Sequence, residues 1–140
     1  MKKLFYRNSL DYPASAGLLV VRVICGAAMM THGWPKIQNP MGWMGPGMPG
    51  FLQALAAVSE FGGGLAWIIG LLVPLASFGL VSTMGVAAYT HYSKGDPWPG
   101  KLELPLAYFS IAFLMMLSGA GRFSLDALVF GRNADDTKQH

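Results

Sequence analysis

Charge is what this chain has least of. Only 12% of its 140 residues are Asp, Glu, Lys or Arg, about half the share of an ordinary soluble domain. Hydrophobic residues make up 53%, and the mean hydropathy is +0.41. A soluble chain with so few charges could not cover its own surface with polar groups. The composition therefore indicates that lipid is the solvent for most of the chain.

Cysteine is nearly absent too, with Cys25 the single example. A disulfide framework or a dithiol relay needs at least two thiols, so neither can form within one chain. The sequence also lacks a haem or flavin fingerprint, and we predict no intrinsic cofactor and no metal site. The pI of about 9.2 does not indicate nucleic-acid binding. The ten Lys and Arg are scattered, and several stand at the ends of apolar runs, where they act as topology signals.

Four mostly apolar runs are present, and a membrane span needs about 20 such residues. The first run is too long for the apolar core of a signal peptide, so we interpret it as an uncleaved first span. The sequence predicts an all-α integral membrane four-helix bundle, formed by one domain over residues 1–140. We place the spans at about residues 14–36, 51–72, 75–92 and 102–117, followed by a cytoplasmic tail over 118–140.

The basic residues near the span ends predict the orientation of the bundle. Lys and Arg concentrate on the cytoplasmic side of a membrane protein. The two termini carry more of them than the opposite side does, so we expect both termini in the cytoplasm. The terminal residues are Lys2, Lys3, Arg7, Arg122, Arg132 and Lys138, against Lys36, Lys94 and Lys101 on the other side.

Ionisable side chains inside the apolar runs are the main candidates for a functional site. An Arg or Lys at mid-span costs about 2.5–3.5 kcal/mol, so such a group normally faces the bundle interior and has a partner. At about 100° per residue, Gly26, Met29, Gly33 and Lys36 lie on the same face of the first helix as Arg22. This polar stripe of small residues is predicted to point inward.

The positions of these residues along their spans predict two separate sets of polar side chains. We predict that Arg22 pairs with Glu60, which lies halfway along the second run. That pair is either a structural ion pair that fixes helix register or part of a ligand site. Four further residues near the opposite surface are predicted to form an outward-opening cluster: His32, Lys36, His91 and Glu103.

Small residues at Gly62, Ala66 and Gly70 repeat every four positions along the second run. This spacing predicts a seam through which two helices approach closely. We therefore interpret the glycines of "FGGGL" (61–65) as packing residues rather than as a ligand cradle.

Three segments of the chain resemble the DoxX family of small bacterial four-helix membrane proteins. They are "RVICGAAMMTHGWPKI", "EFGGGLAWIIGLLVPLA" and "ELPLAYFSIAFLMMLSGAGRFSLD", and the resemblance covers about residues 16–130. The family shows an Arg in helix 1, a Gly-x-x-Lys at its end, an acid followed by glycines in helix 2, and Gly-Pro-Gly…Ser-(Leu/Ile)-Asp after helix 4. The matching residues are Arg22, Gly33, Lys36, Glu60, Gly62, Gly63, Gly119, Gly121, Ser124 and Asp126.

Two positions depart from the family pattern. Ala120 replaces the middle proline of the last motif, which predicts a less rigid turn. Pro35 stands where the family often has glycine, and a proline there predicts an early end of the first helix.

The resemblance implies a bacterial inner-membrane protein linked to quinone-dependent oxidation of sulfur compounds, or to complexes that protect against oxidative stress. For a bound membrane quinone, His32, Lys36 and His91 are candidate hydrogen-bond donors, and Glu60 and Glu103 are candidate proton relays. The chain has no electron source of its own, so we expect at most a subunit of a quinone-linked oxidoreductase. Its expected partners are the lipid bilayer and either a second membrane protein or another copy of itself.

The alternative is a non-catalytic accessory or assembly subunit that packs against another membrane protein. Its polar stripe would be structural, and the Gly/Pro/Met loop at 38–50 would be the docking surface. A haem protein with His32 and His91 as axial ligands has weaker support, because two isolated histidines are not a haem motif. A transporter is disfavoured, because the prolines lie at helix ends and not at mid-membrane.

Overall fold

The structure is a computed structural model that describes residues 10–131. Those residues form an all-α fold, as predicted, with four α-helices joined by short turns and one longer loop. The helices are α1 (Tyr12–Gln38), α2 (Gly50–Ile69), α3 (Val73–Ser93) and α4 (Glu103–Ser118), followed by a short π-helical turn (Ala127–Gly131).

The predicted orientation depends mainly on residues outside this range. Lys2, Lys3, Arg7, Arg132 and Lys138 all lie outside the described residues, as does the last part of the predicted tail. The cytoplasmic location of both termini therefore stays a prediction.

Helix α1 begins at a clear cap and runs farther than predicted. The Asp11 carboxylate accepts a hydrogen bond of 2.9 Å from the Ala14 N–H, as a helix N-cap does. The prediction that Pro35 ends the helix early is wrong, because α1 continues to Gln38. Pro35 removes one backbone hydrogen bond, but close packing of Gly33 on α2 holds the last turn in place.

Three of the four helices are long enough to cross a membrane. Helices α1, α2 and α3 have 27, 20 and 21 residues and are apolar over most of their length. Helix α4 has 16 residues, a length of about 24 Å at a rise of 1.5 Å per residue. The hydrocarbon core is about 30 Å thick, so the crossing by α4 stays a prediction while the membrane-helical character of the protein is clear.

The tightest helix contact joins α1 to α2. A Cβ atom added to Gly26 would lie 2.6 Å from the Gly64 carbonyl oxygen, and one added to Gly33 would lie 2.5 Å from the Phe61 nitrogen. Only glycine allows two backbones to come this close. The predicted inward stripe of α1 is confirmed, since its buried residues are Ser15, Leu18, Arg22, Gly26, Met29 and Gly33.

The predicted seam through Gly62, Ala66 and Gly70 is wrong. A Cβ added to Gly62 would meet the Val58 side chain of its own helix at 3.8 Å, and Gly62 and Ala66 line an apolar groove of about 350 Å³ between α2 and α3. Its neighbour Gly63 is the residue that packs on Leu80 of α3. Successive residues of a helix point about 100° apart. A seam assigned to Gly62 instead of Gly63 therefore faces the groove and not the contact with α3.

The turns and loops place the polar side chains at two opposite ends of the bundle. The "arginine end" contains the start of α1, residues 70–72 between α2 and α3, and the segment 119–131 after α4. The "lysine end" contains the end of α1, the loop 39–49, and the α3–α4 connection. Between them lies a core centred on Trp67, whose indole N–H donates to the Ser77 hydroxyl at 2.9 Å.

Candidate functional site

Arg22 lies at the arginine end, inside a cage of backbone carbonyl oxygens. Its Nε donates to the Trp67 oxygen at 2.8 Å, and its Nη1 donates to the oxygens of Ala120 at 2.6 Å and Phe123 at 2.9 Å. Its Nη2 reaches the Ile68 oxygen at 3.4 Å. The residue is 1% exposed. The guanidinium is planar and carries several donors in fixed directions, which suits a cage of carbonyl oxygens. Through these hydrogen bonds Arg22 ties the end of α2 to the segment after α4.

Glycine is required at the closest point of this cage. Gly70 ends α2 with a φ of 72°, in the left-handed region, and a Cβ there would overlap the Arg22 guanidinium. The Ala120 residue that replaces the family proline is 2% exposed and supplies one of the four carbonyls.

Asp126 closes the same end from the other side. Its carboxylate accepts hydrogen bonds from the N–H groups of Leu72 at 2.7 Å and Val73 at 3.0 Å, so it caps the start of α3. Burial raises the pKa of this carboxyl, while the two amide hydrogen bonds and the charge of Arg22 act in the opposite direction. The Asp126 N–H also donates to the Gly70 oxygen at 2.9 Å. The motif after α4, which ends at Asp126, therefore holds the α2–α3 turn in place.

The predicted Arg22–Glu60 ion pair is wrong. Glu60 bonds to Lys36, and Arg22 bonds to carbonyl groups at the opposite end. Side chains on a helix lean toward its N-terminus. On α1 this direction carries Arg22 away from Glu60, whereas it carries Lys36 down into the bundle toward Glu60.

The Lys36–Glu60 pair is the ion pair that joins two helices within the described residues. The Lys36 Nζ donates to the two Glu60 carboxylate oxygens at 2.5 and 2.6 Å. The Glu60 side chain is 3% exposed and the Lys36 side chain is 24% exposed. A carboxylate has about four acceptor positions, and Glu60 receives hydrogen bonds from this one ammonium group.

The loop 39–49 folds over this pair. The Trp43 ring lies 4.5 Å from the Lys36 Nζ, a cation–π contact. Its indole N–H donates to the Gln53 carbonyl at 3.0 Å. The Gln53 side chain is 1% exposed; it accepts from the Met44 N–H and donates to the carbonyls of Gly45 and Met48. The lysine end is thus covered by a loop that one buried amide holds in place.

The predicted outward cluster does not assemble as one site. Lys36 turns inward to Glu60, and the His91 Nδ1 lies 2.7 Å from an Asp96 carboxylate oxygen in the α3–α4 connection. Glu103 is exposed at the start of α4, and no side-chain partner is present for it in residues 10–131. His32 is exposed and meets the ring of Tyr108 edge-on, with 6.3 Å between ring centroids.

Three residues of this region were missed by sequence reasoning. Gln53 lies seven residues before Glu60, hence on the same face of α2, and a lone amide in an apolar run was the available signal. Trp43 lies in the Gly/Pro/Met loop at 38–50, in which sequence reasoning singled out no individual residue as a site residue. Tyr108 carried no signal, because a tyrosine in an apolar helix is ordinary.

The two ends differ in what they can do chemically. The donors of Arg22 and the acceptors around it are matched within the protein, which is the arrangement of a structural joint. The Lys36–Glu60 pair is a proton donor next to a proton acceptor, partly open on the lysine side. Such a pair can take up and release a proton.

Comparison with known proteins agrees with the architecture. Residues 17–93, which span α1 to α3 and include Arg22, Lys36 and Glu60, match the family described as DoxX. The chain is also similar to the inner membrane protein YqjF of Escherichia coli (strain K12). The two are 31% identical over 119 residues, which is 81% of this chain and 92% of that protein. No solved structure matches the chain.

The family match covers more than half of the chain, and the relative matches nearly along its whole length. Both agree with the apolar helices of the fold. This chain therefore belongs to the DoxX family and is an integral, multi-pass protein of the inner membrane.

Proposed function

We propose that this protein is a membrane subunit of a quinone-linked redox complex, and that the Lys36–Glu60 pair exchanges protons with the quinone. The single observation that carries this proposal is that pair. It joins a buried carboxylate halfway along α2 to one charged partner near the end of α1, and that partner is 24% exposed. Reduction of a quinone to a quinol consumes electrons and an equal number of protons, so a proton donor within reach of the ring is required.

The electrons have to come from a partner subunit. The described residues contain no group of His, Cys, Asp and Glu that could hold a metal ion, and the whole chain has a single cysteine. We therefore assign the electron source to a partner that carries a flavin, haem or iron–sulfur centre. The protein contributes the membrane anchor, the quinone environment and the proton path.

The proposal is tested on the complex extracted gently from its own membrane. The redox centre of the partner is reduced with dithionite, and its reoxidation by an added short-chain quinone is followed by absorbance. In the Glu60→Gln variant we expect reoxidation to slow by about 10²-fold, the lower range for loss of a general acid or base. The matched control is Glu103→Gln, which removes an exposed carboxylate at the same end and should react at the wild-type rate.

Two results would contradict the proposal. One is a purified complex without a redox-active chromophore. The other is a reduced centre that quinone reoxidises equally fast in wild type and Glu60→Gln.

A non-catalytic accessory subunit is the second candidate, and one observation favours it. Every buried side-chain nitrogen or oxygen among residues 10–131 has a hydrogen-bond partner, as expected for polar groups that serve stability alone. For this candidate, loss of the protein should lower the amount of its partner in the membrane, and the Lys36→Met/Glu60→Gln double variant should restore that amount fully.

A further inference from the structure

The segment after α4 has its polar side chains inside and its apolar side chains outside. Ser124 is 9% exposed and Asp126 is fully buried, both directed into the bundle. The large apolar side chains of the segment are between 39% and 60% exposed. They are Phe123, Leu125, Leu128 and Val129. A segment that faces water has the opposite arrangement, so the outer surface of this one faces an apolar medium.

Hydrogen bonds hold the segment at the level where three helices begin or end. The Arg122 N–H donates to the Ser15 hydroxyl in the first turn of α1, at 3.3 Å. Asp126 binds the Gly70 oxygen at the end of α2 through its N–H, and it caps the start of α3. Helices α1, α2 and α3 are long enough to cross a membrane, so their ends lie at the boundary between acyl chains and headgroups. The outward apolar side chains therefore lie at this boundary.

Arg122 places a cation beside this apolar surface. Its Nε donates to the Leu10 carbonyl oxygen at 2.7 Å, and its guanidinium carbon lies 4.8 Å from the centroid of the Tyr12 ring. The Tyr12 and Phe123 rings are 6.3 Å apart between centroids. A guanidinium carries five N–H donors, and among residues 10–131 the two Nη groups of Arg122 have no hydrogen-bond acceptor. Their four N–H donors point to an anionic ligand.

The other charged groups of the arginine end are already engaged. Arg22 is 1% exposed and uses its Nε and both Nη groups on backbone carbonyls. The carboxylates of Asp11 and Asp126 accept from backbone N–H groups at the starts of α1 and α3. Within the described part of the chain, Arg122 is thus the half-buried cation at this end that no carboxylate contacts.

We propose that Arg122 binds the phosphate of an anionic phospholipid whose acyl chains lie along the outward apolar side chains of residues 123–129. A guanidinium matches phosphate geometry and binds two oxygens at once. The Tyr12 ring supports one face of the guanidinium through a cation–π contact. Basic residues near the membrane surface attract anionic lipids, and an apolar face at this depth enters the acyl region. The site is independent of the proposed redox function.

The test uses the full chain in detergent micelles, titrated with phosphatidylglycerol and followed by native mass spectrometry of the lipid adducts. Loss of hydrogen bonds to a charged group lowers affinity by about tenfold. We expect that loss at the tightest site for Arg122→Gln, and a smaller loss for Arg122→Lys, which keeps the charge but not the fork. The matched control is Lys101→Gln, which removes an exposed cation at the lysine end and should bind as wild type does. Phosphatidylcholine should bind more weakly than phosphatidylglycerol.

A second variant separates lipid binding from the fold. Arg122→Gln also removes the hydrogen bond to Leu10, so each variant is first checked for an unchanged elution volume and thermal midpoint. Tyr12→Leu leaves that hydrogen bond in place and removes the ring beside the guanidinium. A cation–π contact at an exposed site changes affinity by about two- to fivefold, and we expect a loss of that size.

A spin label at position 128 measures the depth of the apolar surface. Leu128→Cys is labelled with a nitroxide in a Cys25→Ala background, which removes the single native cysteine, and the protein is placed in phosphatidylglycerol nanodiscs. Oxygen concentrates in lipid, so it should relax this label more strongly than a water-soluble nickel chelate does. The control is Lys94→Cys in the exposed α3–α4 connection, where the nickel chelate should act more strongly.

Four results would overturn the proposal. Equal phosphatidylglycerol affinity in wild type, Arg122→Gln and Tyr12→Leu would show that Arg122 is not the phosphate ligand. Displacement of the lipid by millimolar inorganic phosphate would show an anion site that needs no lipid. A label at position 128 relaxed mainly by the nickel chelate would place the segment in water. A label shielded from both relaxants would show that protein covers this surface.

Discussion

The arginine end and the lysine end both compensate the charge of a cation on α1, but with different partners. The two cations are Arg22, near the middle of the helix, and Lys36, in its last turn. Arg22 is neutralised mainly by four carbonyl dipoles of the backbone, with the Asp126 charge nearby. Lys36 is neutralised by one carboxylate that depends on it in turn.

The difference between backbone partners and a carboxylate partner indicates which cation has a structural role. A guanidinium whose donors are matched by the main chain cannot lose or gain a partner without unfolding the segment after α4. An ammonium–carboxylate pair can separate, reprotonate or exchange one partner for a ligand. In the sequence Arg22 and Lys36 look alike, because both are cations in an apolar run. We assign a structural role to Arg22 and propose a functional role for the Lys36–Glu60 pair because their partners differ.

The largest expected effect comes from Arg22→Leu. It leaves the buried carbonyl oxygens of Trp67 and Ala120 without this donor, together with two partly buried ones. A buried carbonyl without a donor costs about 1–3 kcal/mol, so we expect a loss of about 4 kcal/mol in stability and little folded protein. Arg22→Lys should fold in part but remain well below wild type, because one ammonium group cannot point in several fixed directions. Thermal unfolding in detergent measures both. Wild-type stability of Arg22→Lys would show that charge alone, and not the forked geometry, holds this end.

The next effect tests whether the lysine end is a separable pair. Lys36→Met leaves Glu60 buried without its cation and should cost about 2 kcal/mol. That lies below the 3–5 kcal/mol typical of breaking a fully buried pair, because Lys36 is 24% exposed. The double variant Lys36→Met/Glu60→Gln should recover most of this loss. Denaturant unfolding in mixed micelles gives the three values, and a double variant less stable than Lys36→Met would mean that the pair is a structural joint like Arg22.

A smaller effect tests the α1–α2 seam between the two ends. Gly26→Ala places a methyl group 2.6 Å from the Gly64 oxygen and 2.9 Å from an Ile68 side-chain carbon. Overpacking of this kind costs about 1–3 kcal/mol. Gly17→Ala on the same helix is the control, since a Cβ there meets nothing within 4 Å, and it should be neutral or slightly stabilising. Equal thermal midpoints for the two variants would show that the helices separate easily.

The smallest effect concerns Asp96 in the α3–α4 connection. The hydrogen bond with His91, together with the charge of Lys101, lowers the pKa of this carboxyl. A lowered folded-state pKa gives stability that is present above the ordinary carboxyl range, about pH 4, and is lost as the pH falls through the lowered pKa. Asp96→Asn should therefore lower the thermal midpoint slightly at pH 7. The gap to wild type should shrink in acid, and a gap that grew there would contradict this sign.

Much of the fold could be predicted from local patterns. The apolar runs identified the four helices, and the spacing of Arg22, Gly26 and Gly33 identified the buried face of α1, because helical periodicity is a property of the chain itself. The Gly26–Gly64 contact could not be read in the same way. A glycine one residue along, such as Gly62, looks equally suitable until the register of the two helices is known.

The candidate site was predicted in its members but not in its pairing. Arg22, Lys36 and Glu60 were singled out because ionisable groups in an apolar run are costly. The choice between Arg22–Glu60 and Lys36–Glu60 depended on which way each side chain leans and on whether a backbone segment approaches. Carbonyl oxygens do not appear in a sequence as candidates, so the cage around Arg22 had no visible signal.

The sequence by itself determined that this protein resides in lipid, that residues 10–131 form four apolar helices, and that cations are buried along α1. Composition and periodicity decide these properties, since the cost of exposing apolar groups to water or charges to lipid depends only on residue types. Tertiary structure alone decided that Arg22 binds backbone carbonyls, that Lys36 binds Glu60, and that the rings of His32 and Tyr108 meet edge-on. Those outcomes depend on distances of a few ångströms between segments far apart in the chain, which local residue preferences do not specify.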